Sequence, residues 1–272
     1  MSEIRPVGVL GVGAAAPTLR VAAADVARAW GGSAKGTLAV CDADEDTLRL
    51  GWQAARAALD AAGVAPGEVS GLWWGTTRPP FAEGPSHVFL ATALGLGADV
   101  GGALHSGSPH AGMDALVSAW DALAAGHAEV ALVVVSDALV PGVGTAGESV
   151  TGAGAAAFVL RAIPAGSGGN GSAPPARLVT RVTRTLPAVD RSRGDGEAAT
   201  GDIYDGRLFR EEVYLPLLSA TGGALAAGAA KGDTRWAVTD PDGKLASALS
   251  KKLGGTLVSA AVQGSLGDAG AA

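Results

Sequence analysis

The sequence predicts an α/β fold in which a mostly parallel sheet is covered by helices on both faces. Short apolar runs that are typical of buried strands alternate along the chain with segments that have helical apolar spacing. The composition agrees with this prediction, because 48% of the 272 residues are hydrophobic and only 17% are charged, as in proteins with one or two large cores. Since aromatic residues make up only 4% and there are 42 glycines, the close packing must come from small and aliphatic side chains.

Five apolar runs in the first half predict strands. They cover residues 7–12, 69–75, 100–105, 131–136 and 154–160. Apolar residues at helical spacing predict four helices in the same half. They cover residues 22–30, 44–62, 89–94 and 113–125. Either Asp42 or Asp44 is expected to cap the longest of these helices, because an aspartate at a helix start accepts hydrogen bonds from the free N–H groups.

The second half repeats the alternation of strands and helices. Strands are predicted over 178–185, 235–239 and 257–262, and helices over 211–227 and 245–253, the first of them interrupted by Pro216 and a glycine pair. The similar order suggests an internal duplication, although the two sequences do not show one. A stretch rich in glycine, serine and proline marks the connection, so the expected organisation is residues 1–163, a connection over 164–175, and residues 176–272.

Charge and cysteine content exclude several classes of function. The net charge of −6 argues against nucleic-acid binding as the main role. The single cysteine, Cys41, cannot form an internal disulfide, which fits a reducing cytosol. Residues 1–20 lack the pattern of a signal peptide, and no uninterrupted apolar run reaches the ~18 residues of a membrane span. The expectation is therefore a soluble, cytoplasmic protein.

The most informative segment covers residues 106–116, where a predicted strand turns sharply into a predicted helix. Such an elbow aims a side chain at the free N–H groups of the helix, an environment that would lower the pKa of a thiol. The residue on this elbow is Pro109, which has no thiol, no hydroxyl and no N–H. The favoured local interpretation is that Ser108 caps the helix and that Pro109 lies in its first turn.

Several short motifs resemble the thiolase superfamily, and within it the hydroxymethylglutaryl-CoA (HMG-CoA) synthases of bacteria and archaea, near the ketoacyl-synthase III proteins. The opening at 7–11 and the helix start at 44–48 contribute to the resemblance. The more specific motifs are GTTRPPF at 75–81, AGMDAL at 111–116, GAGAA at 152–156 and DPDGK at 240–244. The resemblance covers nearly the whole chain. It implies two duplicated βαβαβ halves with mixed sheets covered by helices, and a C-terminal half that is incomplete.

The resemblance also implies three catalytic positions, and none of them carries the family residue. In such proteins a cysteine on the elbow takes the acyl group, a glutamate acts as base and a histidine holds the thioester oxygen. Matching the motifs puts Pro109, Thr77 and Thr239 at these positions. The substitutes considered are Glu83, Ser108 and His110, with His105 also near the elbow; a surface glutamate and structural histidines are the alternative interpretation.

Binding residues are better preserved in this resemblance. Lys244 matches a lysine that lies near the CoA phosphates in similar proteins, and Arg78, Lys251 and Lys252 are candidate helpers, although an ordinary solvated helix face explains the lysines equally well,. Asp240 and Asp242 are interpreted as part of a turn and not as metal ligands, so no metal site is predicted.

Two functional hypotheses follow. In the first, the chain is a non-catalytic thiolase-fold subunit that binds a coenzyme A thioester or supports an active partner. The resemblance implies a homodimer, or a complex with a thiolase and an OB-fold protein, and no covalently bound cofactor. In the second, the chain is an active acyl-CoA condensing or hydrolysing enzyme with displaced catalytic groups.

Overall fold

A six-stranded sheet forms the centre of the structure, which is a computed structural model describing residues 5–163, 174–189, 192–201, 205–228, 234–239 and 245–272. Its strand order is β5-β4-β6-β7-β1-β8. The strands are β1 (Val7–Ala15), β4 (Gly71–Thr76), β5 (Gly101–Ser106), β6 (Val130–Ala138), β7 (Ala153–Ala162) and β8 (Ala176–Leu178). The five strands predicted in the first half are confirmed, with boundaries that differ by a few residues.

The sheet is mixed, which confirms what the resemblance implies, whereas the mostly parallel sheet expected from the alternation of strands and helices is wrong. β4 runs parallel to β5 and β6, whereas β7 is antiparallel to both β6 and β1, and β8 is antiparallel to β1. The reason lies in the connection between β6 and β7, residues 139–152, which contains only the short 3₁₀ turn Ala146–Ser149. A parallel return is usually made by a helix that crosses one face of the sheet, and this connection contains no such helix.

Two helices cover the two faces of the sheet. α2 (Thr47–Ala62) packs on β1, β6 and β7, and α4 (Ala111–Ala125) packs on β4, β5 and β6. Because successive side chains of a strand point to opposite faces, the adjacent Trp73 and Trp74 of β4 enter different cores, Trp73 on the α4 side and Trp74 on the α2 side. The predicted two-sided burial of the sheet is confirmed.

The long helix is capped by Asp46, so the expected capping by Asp42 or Asp44 is wrong. The Asp46 carboxylate accepts a hydrogen bond of 2.7 Å from the Arg49 N–H. Asp46 is the residue directly before the first helical turn, and only that position places a short acidic side chain beside the free N–H groups. Asp44 instead pairs with the Arg49 side chain.

Smaller elements complete the first region, which covers residues 5–163. The strands β2 (Leu19–Ala22) and β3 (Thr37–Val40) form an antiparallel pair. Between them lies α1 (Ala23–Ala29), and α3 (Ser86–Leu94) follows the proline-rich loop after β4. Both helices confirm the prediction of a helix there.

The second region, residues 174–272, has helices as its longest described elements. α5 (Gly206–Phe209), a π-helical turn (Arg210–Tyr214) and α6 (Leu215–Gly228) follow one another without a break, and α7 (Leu245–Leu253) packs on α6. The predicted helix at 211–227 therefore exists but begins earlier, and neither Pro216 nor the glycine pair ends it. The π turn lies directly before Pro216, where a proline removes the regular N–H and crowds the preceding turn.

Two strand predictions in this region need correction. The strand predicted at 178–185 ends at Leu178, and the one predicted at 257–262 is replaced by β10 (Thr256–Leu257) and the helix α8 (Ala260–Leu266). Alanine, a strong helix former, opens α8, and no long neighbouring strand is present to extend β10. The strand predicted at 235–239 is also short: β9 (Arg235–Trp236) pairs in parallel with β10 in a separate two-stranded sheet.

The predicted connection lies largely outside the described residues, since the structure describes nothing between 163 and 174. β8, which follows it, joins the sheet of the first region by pairing with β1. No helix in the described part of the chain is both long enough and apolar enough to cross a membrane.

Candidate ligand site at the carboxyl end of the sheet

The predicted elbow is present between β5 and α4. β5 ends at Ser106, and Gly107 has a φ of +81°, a left-handed conformation that glycine adopts without strain. The Ser108 carbonyl accepts from the Ala111 N–H, and the Ser108 hydroxyl accepts from the His110 N–H at 3.1 Å. Ser108 therefore stabilises the turn before the helix rather than the first helical turn, and Pro109 lies exposed two residues before α4.

Glycines let the elbow pack directly on the sheet. A Cβ at Gly75 would lie 2.5 Å from the Ala111 carbonyl oxygen, and one at Gly112 would lie 2.6 Å from Val135 and 2.5 Å from the Ala271 carbonyl oxygen. Any larger side chain at these two positions would push the helix start away. The first turn of α4 is thus held between the sheet and the last residues described.

The segment 267–272, called the strap below, lies across the carboxyl ends of the central strands. Asp268 donates its N–H to the Val150 carbonyl at 2.7 Å and accepts from the Gly152 N–H at 2.8 Å. A Cβ at Gly152 would lie 1.7 Å from the Leu266 carbonyl oxygen, so that approach is open only to glycine. Gly152 and Gly154, at the start of β7, therefore form the docking surface for the strap.

Asp137 is the central polar residue of this site. It lies at the end of β6, is 0% exposed, and accepts hydrogen bonds from four donor groups. Its partners are the Thr76 hydroxyl at 2.8 Å, the Thr77 N–H at 2.9 Å, the Arg78 N–H at 3.3 Å and the Ala271 N–H at 2.7 Å. One carboxylate therefore joins the loop after β4 to the strap.

Burial raises the pKa of Asp137 above its usual value, although hydrogen bonds from Ala271, Thr76 and Thr77 act in the opposite direction. Desolvation disfavours the charged form of a carboxyl group, whereas N–H and O–H donors favour it. Here the loss of water outweighs the donors. A buried carboxyl group with a shifted pKa beside a loop and an elbow is typical of functional sites.

Of the three matched catalytic positions, Thr77 and Pro109 lie at this end of the sheet. Thr77 follows β4 directly, and its N–H is held by Asp137. Thr239 is exposed and follows β9 in the second region. Among the described residues, no hydrogen bond joins Thr239 to Thr77 or to the elbow, and none of the three side chains is a carboxylate, thiol or imidazole.

The substitute residues do not form a nucleophile and base pair. The His110 ring lies 2.9 Å from the Asp114 carboxylate, whereas the Ser108 hydroxyl contacts the His110 backbone N–H. A serine needs its oxygen bonded to the ring that removes its proton. Glu83 is exposed in the loop before α3.

Several buried polar atoms near the ends of β4 and β5 lack a partner among the described residues. They are Thr77 Oγ1 and Arg78 Nη1 just after β4, His105 Nε2 in β5, and Ser86 Oγ at the start of α3. Each costs free energy when it is left unpaired in the interior, and a guanidinium costs the most. Unmet hydrogen-bonding capacity at one end of the sheet is a feature of a site that receives a polar ligand.

The predicted lysines contribute less. Lys244, like Asp240 and Asp242, lies outside the described residues. Lys251 and Lys252 are exposed in the last turn of α7, where positive charge favours the helix C-terminus. This position fits the interpretation of a solvated helix face.

Cys41 has the properties of an unreactive thiol. It is half-buried and packs against the α2-side core. Burial raises the pKa of its thiol, and the charges of Glu45 and Asp46 raise it further. Since the thiolate is the nucleophilic form, Cys41 does not replace the cysteine that the elbow lacks.

Neither Asp137 nor the strap was predicted from the sequence as part of a site. Asp137 had a detectable signal, since a lone acidic residue directly after the buried run 130–136 marks the carboxyl end of a strand, where α/β proteins place their ligands. The strap had none, because its position depends on contacts across most of the chain.

A separate cleft of about 180 Å³ lies between α1 and the 3₁₀ turn 146–149. The Trp30 indole N–H donates to Glu148 at 2.8 Å, and Glu148 also accepts from the Gly144 N–H. The volume of this cleft is below the ~300 Å³ of the smallest usual ligand pockets. In the described part of the chain, no three histidine, cysteine or acidic residues are grouped to hold a metal ion.

The chain is similar to curated HMG-CoA synthases from archaea. It is 34% identical over 162 residues to HMG-CoA synthase of Pyrococcus furiosus, which is 59% of this chain and 46% of that protein. The HMG-CoA synthase of Methanococcus maripaludis (strain C6) is 31% identical over 167 residues, which is 58% of this chain and 48% of that protein. The chain thus spans about half the length of the curated relatives it matches. No family model matches the sequence.

Solved structures share the fold over almost the whole chain. The 3-oxoacyl-(acyl carrier protein) synthase III of Pseudomonas aeruginosa superposes with a TM-score of 0.83 at 19% identity and covers 98% of this chain and 86% of that one. An HMG-CoA synthase complexed with CoA superposes with a TM-score of 0.82 at 17% identity and covers 98% of this chain and 72% of that one. The fold is therefore the thiolase-like α/β fold, with a mixed sheet and helices.

Proposed function

We propose that this chain, which has the thiolase-like fold and is similar to HMG-CoA synthase and ketoacyl-synthase III, binds a coenzyme A thioester without transferring its acyl group, alone or in support of an active partner. The observation that carries this proposal is the elbow. Its geometry is intact, yet Pro109 stands on the turn and can neither attack a thioester nor donate an N–H,.

The neighbouring residues support a non-catalytic role. Acyl transfer needs a nucleophile, a base within hydrogen-bond reach and a donor for the oxyanion. Thr77 has no acidic or basic group, and the Ser108 hydroxyl contacts the backbone N–H of His110 and not its ring. Cys41 is a poor alternative nucleophile, because its thiol pKa is raised.

A binding role is supported by Arg78. Its backbone is fixed beside Asp137, while its buried Nη1 has no hydrogen-bond acceptor among the described residues. An anionic group supplies the acceptor that a guanidinium requires, and a CoA thioester carries several phosphate oxygens. Lys244, matched to a phosphate-neighbouring lysine, remains part of this proposal.

Isothermal titration calorimetry combined with mass spectrometry tests the proposal. Acetyl-CoA is expected to bind reversibly, and the intact mass of the protein is expected to stay unchanged after incubation. Arg78→Gln is expected to weaken binding by about tenfold, the loss of one charge-assisted hydrogen bond. Arg56→Gln, at an exposed position of α2, is the matched control. A stable acyl adduct on any residue would overturn the proposal.

One observation favours the alternative of an active enzyme with displaced groups. Ser108 and His110 lie on the elbow, Asp114 lies in the first turn of α4, and the His110 ring pairs with Asp114 at 2.9 Å. The series of serine, histidine and aspartate would be complete if the Ser108 hydroxyl bonded the other nitrogen of the His110 ring. If acetyl-CoA is hydrolysed or condensed by the wild type, the activity must disappear in Ser108→Ala and in His110→Ala. Turnover that survives both substitutions together would exclude this series.

We extend the proposal to assembly and location. β5 is an edge strand of the six-stranded sheet, and an unpaired edge is suited to pairing with a second copy of the chain. A homodimer is therefore proposed, with a complex with a thiolase and an OB-fold protein as the resemblance-based alternative, in the reducing cytosol. Light scattering with and without CoA measures the mass of the assembly; a strict monomer at micromolar concentration would contradict the homodimer.

A further inference from the structure

Asp137 connects two segments that are far apart in the sequence. Its Oδ1 accepts from the Thr76 hydroxyl and the Thr77 N–H at 2.8 and 2.9 Å. Its Oδ2 accepts from the Ala271 N–H at 2.7 Å, across a separation of 134 residues. Both segments are therefore held by the two oxygens of one side chain.

The strap reaches Asp137 because Gly270 leaves room. Gly270 has a φ of +65°, and a Cβ there would lie 2.6 Å from Asp137 Oδ2. On its other side, the Ala271 carbonyl would lie 2.5 Å from a Cβ at Gly112, in the first turn of α4. The strap is thus wedged between the Asp137 carboxylate and the elbow.

The loop on the opposite side carries Arg78, whose buried Nη1 has no hydrogen-bond partner in the part of the chain that the structure describes. Thr77 and Arg78 both donate their N–H groups to Asp137, and the Arg78 N–H also lies 3.2 Å from the Thr76 hydroxyl. These bonds fix the backbone from which the Arg78 guanidinium projects. A buried carboxylate is stabilised by the groups that donate hydrogen bonds to it. If the donors of either the loop or the strap are lost, the carboxylate is less stable in its place, so each set of hydrogen bonds strengthens the other.

We infer that Asp137 is a positioning residue that couples the docking of the strap to the placement of the loop at 76–78. When the strap is displaced, the loop that carries Arg78 loosens, because both segments donate hydrogen bonds to the same carboxylate. The inference rests on the proposed function only in the experiment that measures the binding of acetyl-CoA.

Hydrogen exchange measured by NMR on the whole chain tests the coupling without any ligand. In Asp137→Asn, the amide protection of Thr77, Arg78 and Ala271 is expected to fall by about tenfold or more, because an amide side chain replaces one acceptor oxygen by a donor. Protection of Leu132 and Val134 in the core is expected to stay within about twofold. Asp121→Asn, an exposed residue of α4 that pairs with Arg181, is the matched control and leaves all five amides unchanged.

Gly270→Ala provides the decisive variant, because it keeps the carboxylate and places a Cβ 2.6 Å from Asp137 Oδ2, which forces the strap and Asp137 apart. Coupling predicts that the amides of Thr77 and Arg78 lose protection together with that of Ala271. If Ala271 is freed while Thr77 and Arg78 keep their protection within about twofold, the coupling is refuted. This variant also decides the question if Asp137→Asn does not fold.

A ligand arm separates this inference from the proposed function. Gly270→Ala is expected to weaken acetyl-CoA binding by about tenfold, through the loosened Arg78. If the wild-type protein binds no acetyl-CoA, the proposed function fails while the exchange result still tests the coupling. If acetyl-CoA binds wild type and Gly270→Ala equally well and the exchange also shows no loosening at 76–78, the inference fails while the proposed function stands.

Discussion

The first and second regions of this molecule are built from the same kinds of elements but bury them to very different extents. Residues 5–163 contain five of the six strands of the main sheet, with α2 on one face and α4 on the other. In the described residues beyond 174, the buried hydrophobic side chains are Leu245, Ala246 and Leu249. β9 and β10 are two residues each. The first region carries its own core, whereas the second depends on a small helix pair and on docking.

Strand length explains the difference. Runs such as 130–138 extend far enough for every second residue to reach each face, which gives a helix on either side something to cover. A two-residue strand offers no such surface. The second region is instead tied to the first by the strap and by α8, which packs on β3, where a Cβ at Gly36 would lie 2.6 Å from the Gly264 carbonyl oxygen.

The largest expected effect is the loss of the first core. Trp74 is 0% exposed, and its indole N–H donates to the buried Ser136 hydroxyl at 2.8 Å. Trp74→Ala is expected to lower the free energy of unfolding by ~3–5 kcal/mol, measured by urea denaturation. Trp52→Ala, at a half-exposed position on α2, is the control. Equal losses in both variants would contradict the central place of the Trp74 core.

A smaller and local effect is expected in the second core. Leu249→Ala removes one of the three buried side chains there and is expected to cost ~2–3 kcal/mol. Amide exchange should accelerate in α6 and α7, while β6 and β7 keep their protection. The difference between the regions would disappear if the sheet of the first region loosened to the same extent.

Gly152→Ala tests the joint between the regions, which is the contact between the strap and residues 150–152. The new Cβ would lie 1.7 Å from the Leu266 carbonyl oxygen, so the strap must shift, at a cost of ~1–2 kcal/mol. The measurement is the exchange rate of the Asp268 amide, which donates to Val150 at 2.7 Å. Gly67→Ala, where a Cβ has open space, serves as the control; unchanged Asp268 exchange in Gly152→Ala would mean that the strap is not docked there.

The smallest expected effect is a pH dependence at the joint. Burial raises the folded-state pKa of Asp137 above 3.8, the ordinary value of an aspartate side chain. Between these two pKa values the folded protein binds more protons than the unfolded chain, so this group's contribution to stability falls as pH rises through the window. The difference in unfolding free energy between wild type and Asp137→Asn should therefore decrease from below pH 3.8 upwards and then level off. A difference that rises with pH would mean that the hydrogen bonds outweigh burial.

The sequence allowed much of the first region to be predicted. Each of its long strands is an apolar run, and the elbow was located from the change of pattern around 106–116. The strands of the second region were predicted too long, because the run 235–239 continues beyond Arg235–Trp236, the two residues that pair with another strand. The capping residue was also misplaced, since Asp42, Asp44 and Asp46 are all suitable and only the true start of the helix selects one.

What the sequence determined by itself is the order of the main elements and the absence of a thiol from the elbow, because periodicity and residue identity are local properties. The tertiary structure alone decided that β7 runs antiparallel, that Asp137 is buried, and that the strap lies against Gly112 and Gly152. Those features depend on hydrogen bonds and close approaches between residues from different elements, such as Asp137 with Ala271, which are 134 positions apart. No local pattern encodes such contacts, since they arise only when the helices and strands pack together.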